Sequence, residues 1–135
     1  MEMIQERKNL LILAYVQQSL VAGYKIGYET KKERFYSWLG GVHPNHRNKG
    51  IGSALMAYQH EYCRSEGYQT IETRTKNKWK GMLILNLKHG FDVIGTYTDE
   101  KGDPKIILRK NLLRKNSMLQ YDINILFPPC LCYNR

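Results

Sequence analysis

An α/β domain built on a mixed sheet, its elements in the order β-β-β-α-β-α-β-β, is the fold that this sequence predicts. Three strand-like stretches precede Gly52, the hydrophobic period turns helical from there, and strand and helix patterns then alternate to about Lys110. At 135 residues the chain has room for a single hydrophobic core.

Each element has its own reason. Leu10 to Val16 is a short apolar run rich in strand formers, and Gln17-Gln18-Ser19 is a polar break. Val21 to Glu29 alternates, with Tyr24, Ile26 and Tyr28 on one side, so the two stretches read as an antiparallel hairpin. Thr30 to Arg34 is a charged loop, and Phe35 to Val42 is a third strand. Gly40-Gly41 loosens that strand and suggests a bulge or a close backbone approach. From Gly52 a helix is expected, with Ile51, Ala54, Leu55, Tyr58 and Tyr62 on one face. Gln59, His60, Glu61 and Arg64 fall mostly on the other, and Gly67 is a natural stop. Tyr68 to Thr75 alternates and is β-branched, hence a strand. Lys78 to His89 is a second helix closed by Gly90. Phe91 to Thr98 and Lys105 to Lys110 form a last hairpin around the turn cluster Asp99 to Pro104. Residues 111–135 read as an extension of the domain at 1–110. Tyr121, Ile123, Ile125 and Phe127 alternate there, which predicts one more strand ended by Pro128-Pro129, on an edge of its own sheet or a neighbour's.

Composition excludes several classes. Hydrophobic residues at 42% and charged ones at 24% describe a globular chain, not a disordered one. No apolar run approaches the roughly 18–20 residues of a membrane span, so no membrane partner is expected. The start, Met1 to Lys8, lacks the shape of a secretory signal, which predicts a cytoplasmic location. Cys63, Cys130 and Cys132 make neither a disulfide framework nor a zinc site, and no metal is expected. The net charge of +9 suits a solvated basic surface, nucleic acid or a polyphosphate ligand. Its clusters at 31–34, 74–80 and 109–115 show no aromatic-interleaved RNA signature and no basic recognition helix. The charge therefore permits an anionic ligand, and nucleic acid is not the expected partner.

The chemistry concentrates in Arg47-Asn48-Lys49-Gly50-Ile51-Gly52-Ser53, a turn between the third strand and the first helix. Such a turn aims unpaired N–H groups at one spot beside two cations, an anion site suited to a phosphate or pyrophosphate. It is not a P-loop, and it lacks the third glycine of the dinucleotide fingerprint.

The turn resembles the acetyl-CoA motif of the GNAT superfamily of N-acetyltransferases, Arg/Gln-x-x-Gly-x-Gly/Ala. Asn77 and Asn86-Leu87-Lys88-His89-Gly90-Phe91 are similar to that family's second signature, a helix ending in Lys-x-Gly-Phe. The resemblance covers roughly residues 10 to 110. It implies a mostly antiparallel mixed sheet flanked by helices, with acetyl-CoA as co-substrate. The pyrophosphate would lie on the N–H groups from Asn48 through Gly50, Ile51 and Gly52 to Ser53, with Arg47 and Lys49 nearby. Pantetheine would run along the strand ending at Gly40-Gly41-Val42, where a backbone N–H of Gly41 or Val42 would polarise the thioester carbonyl. Asn77 and Asn86 would either touch the cofactor or serve as a helix-entry cap and a satisfied polar residue.

The acceptor is expected to be a primary amine, small molecule before protein, attacking the thioester directly. Glu29 is the first candidate for the base, with Glu33, Glu72 and His43 as others. Many family members carry a Leu-Tyr pair at the positions of Leu85 and Asn86, where the tyrosine reaches the CoA sulfur. Asparagine is no acid, so another tyrosine or water would supply that proton. The strand and two helices that commonly open the family's fold have little room before Leu10. A homodimer, or a tail that folds back, is expected to supply the missing wall. Two alternatives belong to other classes: a non-catalytic acyl-CoA-binding module and, less supported, a basic nucleic-acid-binding domain.

Overall fold

In the computed structural model, residues 7–112 and the backbone of 130–134 are described. The first hairpin forms where the pattern places it, β1 (Leu11–Gln17) pairing antiparallel with β2 (Leu20–Lys31). The charged loop contracts to Lys32 and Glu33, the latter at φ 69°, before β3 (Arg34–Val42) returns along β2. A single 3-10 turn (Pro44–His46) leads to helix α1 (Ile51–Ser65). Then follow β4 (Thr70–Lys76), helix α2 (Lys80–Lys88), β5 (Asp92–Thr98) and β6 (Pro104–Asn111).

One sheet holds all the strands of the described residues, in the order β5-β6-β4-β3-β2-β1-β7. Here β7 (Cys130–Asn134) pairs antiparallel with β1. It follows Pro128-Pro129, whereas the strand expected at 121–127 lies outside the described residues. β3 and β4 pair parallel and the other neighbours antiparallel, because α1 supplies the crossover that a parallel pair needs. The sheet is therefore mixed and mostly antiparallel, as predicted.

Both helices lie on one face. Leu11 and Leu13 of β1, Phe35 of β3, Ile71 of β4 and Leu108 of β6 are fully buried beneath α1, with Leu55, Met56 and Cys63 above them. The inward stripe of α1 differs from the expected one. It is Ile51, Leu55, Met56, Gln59, His60 and Cys63, so Gln59 and His60 point in, at 0% and 2% exposure. His60 is accommodated because Lys110 Nζ stands 3.0 Å from its Nδ1 and Phe91 packs on its ring.

The other face carries no helix among the described residues. Tyr24, Ile26 and Tyr28 share it, so this alternating set is not the core side of β2. Tyr28 meets Tyr36 and Trp38 edge-on at 5.6 and 5.5 Å, and the Arg7 guanidinium stacks on Tyr28 and Trp38. The bulge in β3 also falls elsewhere than at Gly40-Gly41. It is at Trp38, where the register slips between Ile26↔Leu39 and Gly27↔Ser37. The glycine pair instead marks a close approach, since a Cβ on Gly41 would stand 3.0 Å from the Tyr24 ring.

Candidate functional site

β3 and β4 run side by side only from Arg34↔Thr70 to Ser37↔Thr73. Beyond that point β3 continues to Val42 and β4 to Lys76 without pairing, and the strands part. The gap opens into a cleft of about 830 Å³. Its walls are the free end of β3, the turn at 46–53, Thr73 to Thr75 of β4, and Leu85 and Asn86 of α2.

The turn is the polar end of this cleft. His46 N donates to His43 O, and the next backbone donor is Ala54 N, to Gly50 O at 2.9 Å. Among the described residues, no N–H from Arg47 to Ser53 reaches a backbone acceptor. Asn48 at φ 62° and Gly50 at φ 79° bend the chain through the left-handed region, which asparagine tolerates and glycine occupies freely. A Cβ on Gly50 would meet nothing within 4 Å, so the backbone angle and the open space before it explain this glycine. Arg47 Nε donates to Val42 O at 3.2 Å and ties the turn to the end of β3. A row of free donors, a helix N-terminus and basic side chains form a cradle that fits a diphosphate.

The rest of the cleft has an equally simple origin. His43 N donates to Ala22 O at 2.7 Å, so Val42, opposite Gly23, occupies a non-hydrogen-bonded position. Its N–H therefore points away from β2 and towards the cleft. Ser53 Oγ lies 2.6 Å from His89 Nε2, joining the first turn of α1 to the end of α2. Burial, then Lys110 and Lys25, pushes the His89 imidazole below its ordinary pKa. Asn86 is buried, and its carbonyl accepts from His89 N and Phe91 N, which closes α2.

Of the residues singled out in the sequence, Gly41, Val42, Arg47, Asn48, Gly50, Ile51, Gly52, Ser53 and Asn86 line this cleft. Lys49 is exposed on the same turn, outside the lining. Asn77 is also outside it; its N–H bonds Pro104 O in the turn after β4. Glu29 is not brought to the cleft at all. It pairs with Phe35 towards the opposite end of the β2–β3 hairpin, bound to Lys8 at 3.0 Å, Asn9 at 2.9 Å and Tyr68 at 2.9 Å. Hydrogen bonds from Lys8 and Asn9 hold its carboxyl below the usual range. Its contribution to stability is present above the unfolded pKa and is lost as pH falls through the folded one. Glu33 sits in the β2–β3 turn, and His43 Nδ1 accepts from Asn45 N.

Glu72 is placed differently. It stands opposite Tyr36, one residue before the strands part, on the helix-free face. Arg109 and Arg34 both contact its Oε2, at 3.1 and 3.7 Å, which leaves Oε1 towards other partners.

Motif reasoning missed Tyr24, Lys25, Trp38, Arg74 and Thr75 as cleft residues. For Lys25 a signal existed. In Gly23-Tyr24-Lys25-Ile26-Gly27 a lysine shares one side of the strand with two glycines, while the apolar residues take the other.

A splayed parallel pair with a donor-lined turn at its mouth suits a long ligand carrying a diphosphate, and comparison with known proteins specifies the class. The family model described as Acetyltransferase (GNAT) domain matches residues 7–93. The chain belongs to the GNAT acetyltransferase family. Among solved structures it is similar to an aminoglycoside 6'-N-acetyltransferase complexed with coenzyme A. That pair shares 15% identity over 86% of this chain and 79% of that one, at TM-score 0.71. Ard1 from Thermoplasma volcanium shares 19% identity over 74% and 69% of the two chains, TM-score 0.71. A GNAT family acetyltransferase from Elizabethkingia anophelis with acetyl-CoA bound shares 19% over 74% and 75%, TM-score 0.65. A search of curated protein sequences finds no significant match. GNAT homologues thus bind coenzyme A or acetyl-CoA as co-substrate, and no helix among the described residues is long and apolar enough to cross a membrane.

Proposed function

We propose that this protein moves the acetyl group of acetyl-CoA to a primary amine by direct attack on the thioester, and that the amine belongs to a small molecule. The observation that carries the reading is the run of free N–H groups from Arg47 to Ser53, set at the mouth of the gap between β3 and β4. The pyrophosphate rests on the N–H groups of Asn48 to Ser53, with Arg47 and Lys49 as flanking cations. Pantetheine leaves the turn beside Val42 and adds to the free edge of β3 towards Gly40 like an extra strand, passing over Gly41. The Gly40 N–H points away from β2 by the same alternation as Val42 and lies farther from the turn. It then meets the thioester oxygen, where charge develops in the transition state. Asn77 lies outside the cleft and receives no role.

The acceptor enters from the helix-free face, past Tyr36 and Trp38. Glu72 replaces Glu29 as the base, because it stands at the fork and Glu29 does not. Asn86 cannot protonate the departing thiolate. Tyr24, whose ring lies over Gly41, is the tyrosine that lines the cleft and supplies that proton. A homodimer in the cytoplasm completes the reading, its contact lying away from the face by which the acceptor enters, and light scattering at twice the chain mass would support it.

Asn86 favours a second reading, an acyl-CoA-binding module without turnover. Titration calorimetry with acetyl-CoA, followed by thiol release over a panel of amines, separates the two. Both predict binding, and only the first predicts free CoA thiol. Glu72→Gln is expected to lower kcat by about 100-fold, within the range of general-base removal. Glu29→Gln should leave kcat within about twofold and instead weaken the dependence of Tm on pH below about 5, where a released carboxylate would protonate. Equal kcat losses in the two variants would remove Glu72 from this role.

A further inference from the structure

The buried face of β2 holds a cation that the proposed chemistry does not use. Lys25 pairs with Gly40, and its side chain turns back over that glycine. Its Cγ and Nζ each lie 3.7 Å from the point where a Cβ on Gly40 would stand. Lys25 is the lysine that lines the cleft, and no carboxylate pairs with it among the described residues. The groups that feel its charge are His60 of α1 and His89 after α2, both disfavoured as cations by burial first and then by Lys110 and Lys25. Nothing in that set stabilises an ammonium.

We propose that Lys25 is a self-acetylation site of this protein. The inference rests on acetyl-CoA lying along Gly40 to Val42 as described above. The neutral Nζ attacks the thioester carbonyl, a C–N bond forms, and the C–S bond breaks. The amine loses one proton, the thiolate takes one up, and the products are Nε-acetyl-Lys25 and CoA. The product is an amide, so the acetyl group is not passed on. It lies over Gly40 where pantetheine would run, so each chain reacts once and then binds acetyl-CoA less well.

Burial brings the Lys25 amine down to about 8, which raises its neutral fraction near neutral pH roughly a hundredfold over a surface lysine. Surface lysines therefore compete poorly, even though the chain carries many of them.

The test needs no knowledge of the acceptor. The purified full chain is incubated with acetyl-CoA and no amine, then followed by intact mass and peptide mapping. One acetyl group per chain is expected, on the peptide holding Lys25, at a rate at least about tenfold above any surface lysine. Lys110, which burial also brings down to about 8, should stay unmodified because it lies outside the cleft. Lys25→Arg should remove that mass shift. Gly50→Asp, or excess free CoA as competitor on the unmodified chain, should slow it at least about tenfold. Acetyl-CoA binding by calorimetry together with an unmodified Lys25 would overturn this inference and leave the transferase reading standing. Labelling that spreads over surface lysines and ignores added CoA would overturn it as well. Absence of acetyl-CoA binding would overturn the site reading first, and this inference with it.

Discussion

Gly50→Asp is expected to weaken acetyl-CoA binding at least about 100-fold, close to 3 kcal/mol, while the protein stays folded. The two halves of that expectation have separate causes. A Cβ at Gly50 meets nothing within 4 Å, so the side chain starts in open space and crowds nothing in the core. The φ of 79° costs a non-glycine residue about 1–2 kcal/mol, and aspartate tolerates that region better than most. The ligand side is harsher. The new carboxylate stands in the row of donors from Arg47 to Ser53, accepts from them itself, and repels a diphosphate. Gly50→Ala shares the backbone strain without the charge, so it should bind acetyl-CoA between wild type and Gly50→Asp. Calorimetry gives the affinities and thermal unfolding checks the fold. An aspartate variant that binds within about threefold of wild type would mean that the turn does not hold the diphosphate.

The turn was legible because its chemistry is local: seven consecutive residues carry the donors, the cations and the glycines. The order of strands and helices was legible for a similar reason, since each period is written within a few residues. What the sequence hid depends on register and on distance along a strand. One residue inserted at Trp38 places Trp38 beside Tyr28 while Leu39 pairs with Ile26, so neighbours in sequence share the helix-free face. Simple alternation cannot show that slip. Glu29 shares a strand with the cleft, but Val42 pairs with Gly23, and the six-residue step from Gly23 to Glu29 spans about 20 Å. Gln59 and His60 read as outward because they are polar. For His60 the partner that makes burial tolerable, Lys110, comes from a strand fifty residues away. Lys25 stayed unseen because motif reading looks for anion cradles, not for a cation placed among glycines.

Gly27→Ala is expected to destabilise the domain by about 3 kcal/mol, the upper part of the range for overpacking a tight core. A Cβ there would collide with the ring of Phe35 and stand 2.7 Å from the carbonyl oxygen of Tyr36. Phe35 is fully buried between the sheet and α1, with Tyr68 against it at 5.2 Å between centroids, so its ring has no free space to swing into. For a chain of this length the loss should lower Tm by roughly 10 °C. Phe35→Leu alone removes ring atoms and should cost about 1–2 kcal/mol through the space left behind. Combined, the two changes should partly compensate, because leucine lacks the ring edge that the new methyl meets. The Tyr36 carbonyl cannot withdraw without breaking its ladder, so recovery stays incomplete. The double mutant should therefore be at least about 1 kcal/mol more stable than the sum of the single losses predicts. Denaturant midpoints for the four proteins decide it. Strict additivity would show that the Phe35 ring does not limit what Gly27 can become, and that strain against the β3 backbone alone sets the cost.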